Sequence, residues 1–335
     1  MAQHPSTLIC STVCHKGRAL ARPLLLVIYA SKLFSVLEHH LPDVHAYVDD
    51  THLYISFKPD SSAEQSKALT ALENCIDDIK RWMLADKLKL NDDKTEFIII
   101  GTRQQLKKVT FNTLRVGNTQ VTSLSQAKNL GSWFDAQMNL NTHVTKCCWA
   151  TFFHLFNIRR IRKFLNHETV QILVNAFLTS RLDYCNSLLY GLPATQLNKL
   201  QRVQNAAARL ICNISRFDHT SPILFELHWL PIKYRINFKI LLITYKALHG
   251  LAPNYITELI TVKPLSRYNL RSDGELFLQQ PTFTSSATLG DRSFTLAAPT
   301  LWNELPTEIR HANSILTFKK LLKTFLFKNA FYQFN

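Results

Sequence analysis

The sequence predicts an α+β fold in which a mixed strand-and-helix segment precedes a helical one. Three observations predict it. Two period-two runs, 44–48 and 51–57, flank the dipeptide Asp49-Asp50 as the arms of a β-hairpin would. A periodic helical run follows, with Leu69, Leu72, Ile76, Ile79 and Met83 recurring at three and four. From Asn141 onward the pattern is helical, with little strand character.

Taken in order, residues 20–39 carry Leu24, Leu25, Val27, Ile28, Leu33, Phe34 and Leu37 and read as a helix. In the second arm of the hairpin Thr51, Leu53, Ile55 and Phe57 fall on one face and His52, Tyr54 and Ser56 on the other. Lys58-Pro59-Asp60 makes a turn, and Ser61-Ser62-Ala63-Glu64 reads as a capping box opening the periodic helix. The acids on that helix, Glu73, Asp77 and Asp78, read as a solvated face. Phe97-Ile98-Ile99-Ile100 is a buried-strand run ended by Gly101, and weaker strands are expected over 110–116 and 119–124 around Gly117-Asn118.

Asn141 or Thr142 can cap a helix reaching about residue 164. Further helices are expected near 168–178, over 195–212, over 232–249 with a stop at Gly250, and over 315–327. Residues 263–300, rich in Ser, Thr, Pro and Gly, read as irregular. The expected division is 1–140, 141–262 and 263–335.

Composition narrows the function. The 335 residues are 46% hydrophobic, which indicates a globular chain. The net charge of +15 is uneven: residues 1–150 hold 17 Lys+Arg against 14 Asp+Glu, residues 151–335 hold 22 against 10. A basic half of this kind suits a phosphate backbone, or serves solubility alone. Seven cysteines without a C-x-x-C pair indicate neither a disulfide framework nor a zinc knuckle, and Cys10, Cys14 and His15 lack a second ligand pair. Glycine-rich phosphate loop, nucleophile elbow and histidine-based hydrolase signatures are absent. No secretory leader or membrane-length apolar run occurs, so an intracellular place, nucleus or cytoplasm, and no membrane partner are expected.

Two groups of residues stand out. Asp49-Asp50 is either a turn dipeptide or a carboxylate pair for a divalent cation such as Mg²⁺, which takes one or two carboxylates beside substrate phosphates. Arg159-Arg160-Ile161-Arg162-Lys163 ends a helix, where the dipole favours cations and a phosphate track would equally place them. Arg202 and Arg209 lie two turns apart on the 195–212 helix, and Lys233, Arg235, Lys239 and Lys246 are further candidate backbone contacts. Arg267, Tyr268, Arg271 and Arg292 interleave rings and cations, as ordinary loop residues or as a single-strand contact.

The run His45-Ala46-Tyr47-Val48-Asp49-Asp50-Thr51-His52-Leu53-Tyr54 resembles the catalytic hairpin of reverse transcriptases from non-LTR (LINE-type) retrotransposons, Y-A-D-D-T-x-L-Y, with Val48 as a departure. Leu88-Lys89-Leu90-Asn91-Asp92-Asp93-Lys94-Thr95-Glu96 is similar to the family's next palm motif, L-x-x-N-x-x-K-T-E. Asn129-Leu130-Gly131 stands where the family has its L-G primer-grip turn. The similarity runs on through Arg181-Leu182-Asp183-Tyr184-Cys185-Asn186, Leu200-Gln201-Arg202-Val203-Gln204-Asn205-Ala206-Ala207 and Leu301-Trp302-Asn303-Glu304-Leu305-Pro306.

The resemblance implies a partial palm over 1–140, with hairpin and supporting helix, then a helical thumb over 141–262 and a C-terminal region. It implies an RNA-directed DNA polymerase using two Mg²⁺ (or Mn²⁺) ions, an RNA template, a DNA primer and deoxynucleoside triphosphates. Asp49 and Asp50 would hold metal, Lys94 would stand by the leaving pyrophosphate, and Tyr47 and Gly131 by the primer. Arg159, Arg160, Arg162, Lys163, Arg202 and Arg209 would contact nucleic acid. One family element is missing. The first metal carboxylate belongs to an earlier strand, yet residues 1–44 contain only Glu38 and Asp43 as acids, outside any such context. The motif at 14–26 is also altered, keeping Gly17 and Pro23-Leu24-Leu25. The expectation is therefore a C-terminal piece of a retrotransposon polyprotein, without fingers or first catalytic strand and inactive alone. The alternative is a non-catalytic nucleic-acid-binding remnant or a truncated gene model. A sheet without its neighbouring strand would expose an edge.

Overall fold

The computed structural model describes residues 6–13, 32–40, 43–47, 50–88, 90–91, 94–215, 217–264, 276–281 and 290–332, with backbone alone for 6–13. The chain divides into two compact units, Met1–Thr142 and His143–Asn335. Strands and helices occur together, in the α+β manner, and the strands pair antiparallel.

The first unit is built on β1 (Ser6–Val13), β2 (Asp43–Tyr47), β3 (Asp50–Phe57) and β4 (Glu96–Ile100), ordered β2-β3-β1-β4 in one sheet. No strand was expected over 6–13. There β1 pairs with β3 from Ser6 opposite Phe57 to Val13 opposite Asp50, and with β4 from Thr7 opposite Ile100 to Ser11 opposite Glu96. The open edge expected beside the hairpin is thus occupied.

Helix α1 (Ser62–Ala85) forms because its apolar residues recur at three and four, and it lies on one sheet face. Leu72, Cys75, Ile76 and Ile79 pack there with Leu53, Phe57, Phe97 and Ile99. Each such large side chain, taken fully out of water, contributes about 1.5–3 kcal/mol. Ser61 caps the helix by accepting from the Glu64 N–H at 3.2 Å. The Glu64 carboxylate accepts from the Lys58 N–H at 3.1 Å, so the expected capping box is half formed. Glu73 and Asp77 are corrected from a solvated face: they hold the Arg115 N–H and guanidinium, each at 2.9 Å, and fasten β5 (Thr113–Val116) to the helix. β6 (Thr119–Thr122) pairs with β5 around Gly117-Asn118, and β7 (Gln126–Asn129) pairs with β8 (Ser132–Asp135). Of the helix expected over 20–39, residues 32–37 are helical and residues 20–31 lie outside the described residues.

The second unit is helical. Its principal helices are α2 (Asn141–Ile161), which starts in the last residues of the first unit, α3 (His167–Val174), α4 (Ala194–Cys212), α5 (Ile232–Leu248), α6 (Phe294–Asn303) and α7 (Ile315–Ala330). After α3 the chain makes a π-helical turn, Asn175–Thr179, before Ser180–Asp183. Val170, Val174, Leu178 and Leu182 are all buried, one every four residues. In a regular α-helix that spacing over-rotates by about 40° per step, and the wider π turn absorbs the drift.

Residues 263–335 belong to this second unit. Tyr245 of α5 stacks on Phe318 of α7 with centroids 4.2 Å apart, and its hydroxyl donates to the Ala312 carbonyl at 2.8 Å. The segment expected to be irregular over 263–300 ends inside α6. Pro299 sits inside this helix, which buried Ala297, Ala298, Leu301 and Trp302 stabilise. Among the described residues, no helix is long and apolar enough to cross a membrane.

The three C-terminal motifs prove to be clamps. Asp183 accepts from Arg235 at 2.8 Å and from Asn186 at 3.4 Å. Gln204, 1% exposed, donates to the Leu230 carbonyl at 2.9 Å, and Gln201 accepts from the Ile232 N–H at 2.9 Å. Asn303 both accepts from the Leu278 N–H and donates to the Leu278 carbonyl, each at 2.9 Å, while the Trp302 indole donates to the Leu276 carbonyl at 2.8 Å.

Candidate functional site

The β2–β3 hairpin closes with Tyr47 opposite Asp50, leaving two residues between them in sequence. Beyond Asp50, Val13 ends β1, and beyond Glu96 the chain turns through Lys94. Hairpin tip, end of β1 and the Lys94 turn therefore share one edge of the sheet. Two strand spacings separate the Asp50 and Lys94 positions, about 10 Å in backbone terms. Tyr47 is 60% exposed. Lys94 is exposed, on a turn in which its N–H donates to the Asn91 carbonyl at 3.2 Å and the buried Thr95 hydroxyl donates to the same carbonyl at 3.1 Å. Asp49 lies outside the described residues, as do the altered motif at 14–26, Asp92 and Asp93.

One face of the hairpin is a ladder of titratable pairs: Asp43 with Tyr54, His45 with His52, Tyr47 with Asp50. His52 is buried, and among the described residues neither ring nitrogen has a hydrogen-bond partner. Burial holds its pKa below the ordinary value; Asp50 opposes that shift and His45 reinforces it.

Opposite Asp50 stands Val13, and β1 reads Ser-Thr-Leu-Ile-Cys-Ser-Thr-Val, without an acid. Among the described residues no group of three His, Cys, Asp or Glu is placed to hold a metal.

The second unit gathers cations. Arg159 and Arg160 from the end of α2, Arg162 and Lys163 from the 3₁₀ turn Arg162–Phe164, and Arg209 from α4 line one cleft of about 680 Å³. Their roles differ. Arg162 donates to the carbonyls of Leu210, Leu165 and Ile211 at 3.2, 2.9 and 3.3 Å and so ties off the C-terminus of α4. Arg209 donates to the Asp218 carbonyl at 2.9 Å. Among the described residues Arg159, Arg160 and Lys163 make no ion pair, and no Asp or Glu occurs in sequence between Asp135 and Glu168. Arg202 is exposed on α4 and does not line the cleft. Gly131 closes the β7–β8 hairpin with φ +86°, following Leu130 at +44°, and so serves a backbone turn in which both central residues have positive φ.

Arg235 is corrected from a candidate backbone contact, because its donors go to Asp183 and to the Leu230 carbonyl at 2.8 Å. Arg267, Tyr268 and Arg271 lie outside the described residues, and Arg292 packs its stem against Gly191. Sequence reasoning missed Trp149, Phe153 and Phe156, which are 72, 53 and 60% exposed on α2. Their signal was available as rings at i, i+4 and i+7 on a helix whose core is formed by other residues.

Comparison with protein-family models, curated proteins and solved structures gives no match.

Proposed function

We propose that this chain is a nucleic-acid-binding protein derived from the reverse transcriptase of a non-LTR retrotransposon, engaging the phosphate backbone through its helical unit without nucleotidyl transfer of its own. The observation that carries the binding is the cleft of Arg159, Arg160, Lys163 and Arg209, the first three of them in the acid-free stretch between Asp135 and Glu168. Guanidinium and ammonium groups not committed to carboxylates are free to displace counterions from a phosphate backbone. The lack of an acid on β1 supports the non-catalytic reading, because metal carboxylates act as a unit.

A second reading, a polymerase module in which Mg²⁺ or Mn²⁺ arrives with the deoxynucleoside triphosphate, draws support from the edge shared by Tyr47, Asp50 and the Lys94 turn. On that reading a carboxylate supplied by another chain would complete the site.

Anisotropy titration of labelled oligonucleotides tests the binding. Replacing Arg159, Arg160 and Lys163 together by Gln should weaken binding about tenfold or more and flatten its salt dependence, by roughly 0.7–0.9 in log–log slope per lost phosphate contact. Unchanged affinity and slope would refute the cleft as the interface. Primer extension on an RNA template with Mg²⁺ or Mn²⁺, beside an Asp50→Ala control, separates the readings. No extension is expected; extension abolished by the substitution would establish the second.

A further inference from the structure

Helix α2 has two apolar faces. Val144, Thr151, Leu155 and Ile158 form the buried one. Trp149, Phe153 and Phe156, followed by Arg160, stand at i, i+4, i+7 and i+11, in a band about 60° wide that lies about 160° around the helix from the buried face at 100° per residue. This second face is exposed. Its rings are ordered: Trp149 stacks on Phe153 with centroids 6.2 Å apart and planes 18° from parallel, and the Arg160 guanidinium lies 5.9 Å from the Phe156 centroid. Lys163 lies 4.8 Å from the Phe164 ring, itself 76% exposed. The π turn sets Phe177 alongside, stacked on His154 at 5.2 Å.

Exposed rings of this number mark a docking surface. Its occupant is constrained by charge. The stripe contains no carboxylate and runs directly into the basic cleft. We infer that the Trp149–Phe153–Phe156 stripe is a base-stacking track for single-stranded nucleic acid, whose phosphates continue into the cleft of Arg159, Arg160 and Lys163. The inference rests on the proposed nucleic-acid binding and adds that the ligand is unpaired. Flat rings offer faces to unstacked bases irrespective of sequence, and the neighbouring cations hold the backbone. From residue 149 to residue 160 the track is about 16 Å long at 1.5 Å per residue, room for a few nucleotides of an unstacked strand. A base-paired duplex hides its ring faces and cannot use the stripe. A membrane surface is flat and cannot enter the concave cleft in which the stripe ends.

The test uses the full chain, a twelve-nucleotide oligo(dT) and oligo(U), and a twelve-base-pair duplex. One variant replaces Trp149, Phe153 and Phe156 by Leu, which keeps an apolar helical surface and removes the rings; circular dichroism and a melting curve verify its fold. The other is the triple Gln variant of the cleft. The Leu variant is expected to lose about tenfold or more in single-strand affinity and less than about twofold for duplex, whereas the Gln variant loses both. Single-strand affinity unchanged in the Leu variant overturns the inference while leaving the cleft intact. Loss in the Leu variant with none in the Gln variant keeps the stacking track and removes the cleft reading. Two further results overturn the track: a dimer in sedimentation that the Leu variant disperses with oligonucleotide affinity unchanged, or co-sedimentation with anionic lipid vesicles that the Leu variant abolishes with oligonucleotide affinity unchanged.

Discussion

Arg235 and Asp183, 52 positions apart in sequence, meet at 2.8 Å, and the same guanidinium donates to the Leu230 carbonyl. One side chain thereby fixes both the turn before α5 and the end of the segment that follows the π turn. Arg235 is 14% exposed and Asp183 41%, so the pair is partly screened and the bond to the carbonyl matters as much as the charge. Arg235→Ala should cost about 1–3 kcal/mol by leaving polar groups unpaired, read as a lower urea midpoint at unchanged slope. Arg235→Lys should recover less than half, because an ammonium cannot serve both acceptors as the guanidinium fork does. A midpoint equal to wild type would show the clamp to be energetically idle.

The β7–β8 turn holds Leu130 in the left-handed region at φ +44°, a conformation costing an L-residue about 1–2 kcal/mol. Leu130→Asn, which creates the Asn-Gly pair that such turns prefer, should therefore stabilise the first unit by about 0.5–1 kcal/mol. Gly131→Ala, at φ +86°, should destabilise it. Thermal melts of the two variants should move in opposite directions; movement in the same direction would contradict the turn geometry.

His52 supplies a pH dependence. Its pKa lies below the ordinary 6.5 through burial first, with Asp50 opposing and His45 adding to the shift. As pH falls, the unfolded chain takes up the proton before the folded one. The contribution of His52 is thus fully present above about 6.5 and is lost as pH drops toward the lowered folded value. His52→Leu should flatten the stability difference between pH 7.5 and 5.5, measured by urea unfolding at both values. An equal acid loss in wild type and variant would remove His52 from the account.

Cys75 is fully buried, and burial pushes its thiol up to about 12. It should resist iodoacetamide at pH 8 in the folded protein and react only when α1 opens, because the thiolate is the reactive species. Peptide mapping after timed alkylation reads this, with rapid native labelling of Cys75 as the contrary result.

Much of the fold was legible where order is local. The three-four spacing of Leu69, Leu72, Ile76, Ile79 and Met83 marked α1, and Gly250 marked the end of α5, because helix periodicity and caps are written in adjacent residues. Strand β1 was not legible, since its pattern acquires meaning only through long-range pairing with β3 and β4. Helix α6 was hidden because it begins in a stretch read as irregular from its Ser, Thr, Pro and Gly content, which tertiary packing overrides. At the candidate site the cations of 159–163 were visible, but the convergence of Arg209, the diversion of Arg162 to carbonyls and the outward aim of Trp149 depend on how helices pack. Periodicity registers apolar residues without saying which of two faces the core takes.

The π turn at Asn175–Thr179 takes up one residue more than ordinary helix would. Deleting one of its five residues would let α3 run on as ordinary helix: the seven remaining steps from Val174 to Leu182 turn about 700°, within about 20° of the same face. Leu182 would keep its buried side and Asp183 its bearing toward Arg235. A one-codon deletion here should therefore be better tolerated than one inside α4 or α5, where it turns everything beyond by about 100°.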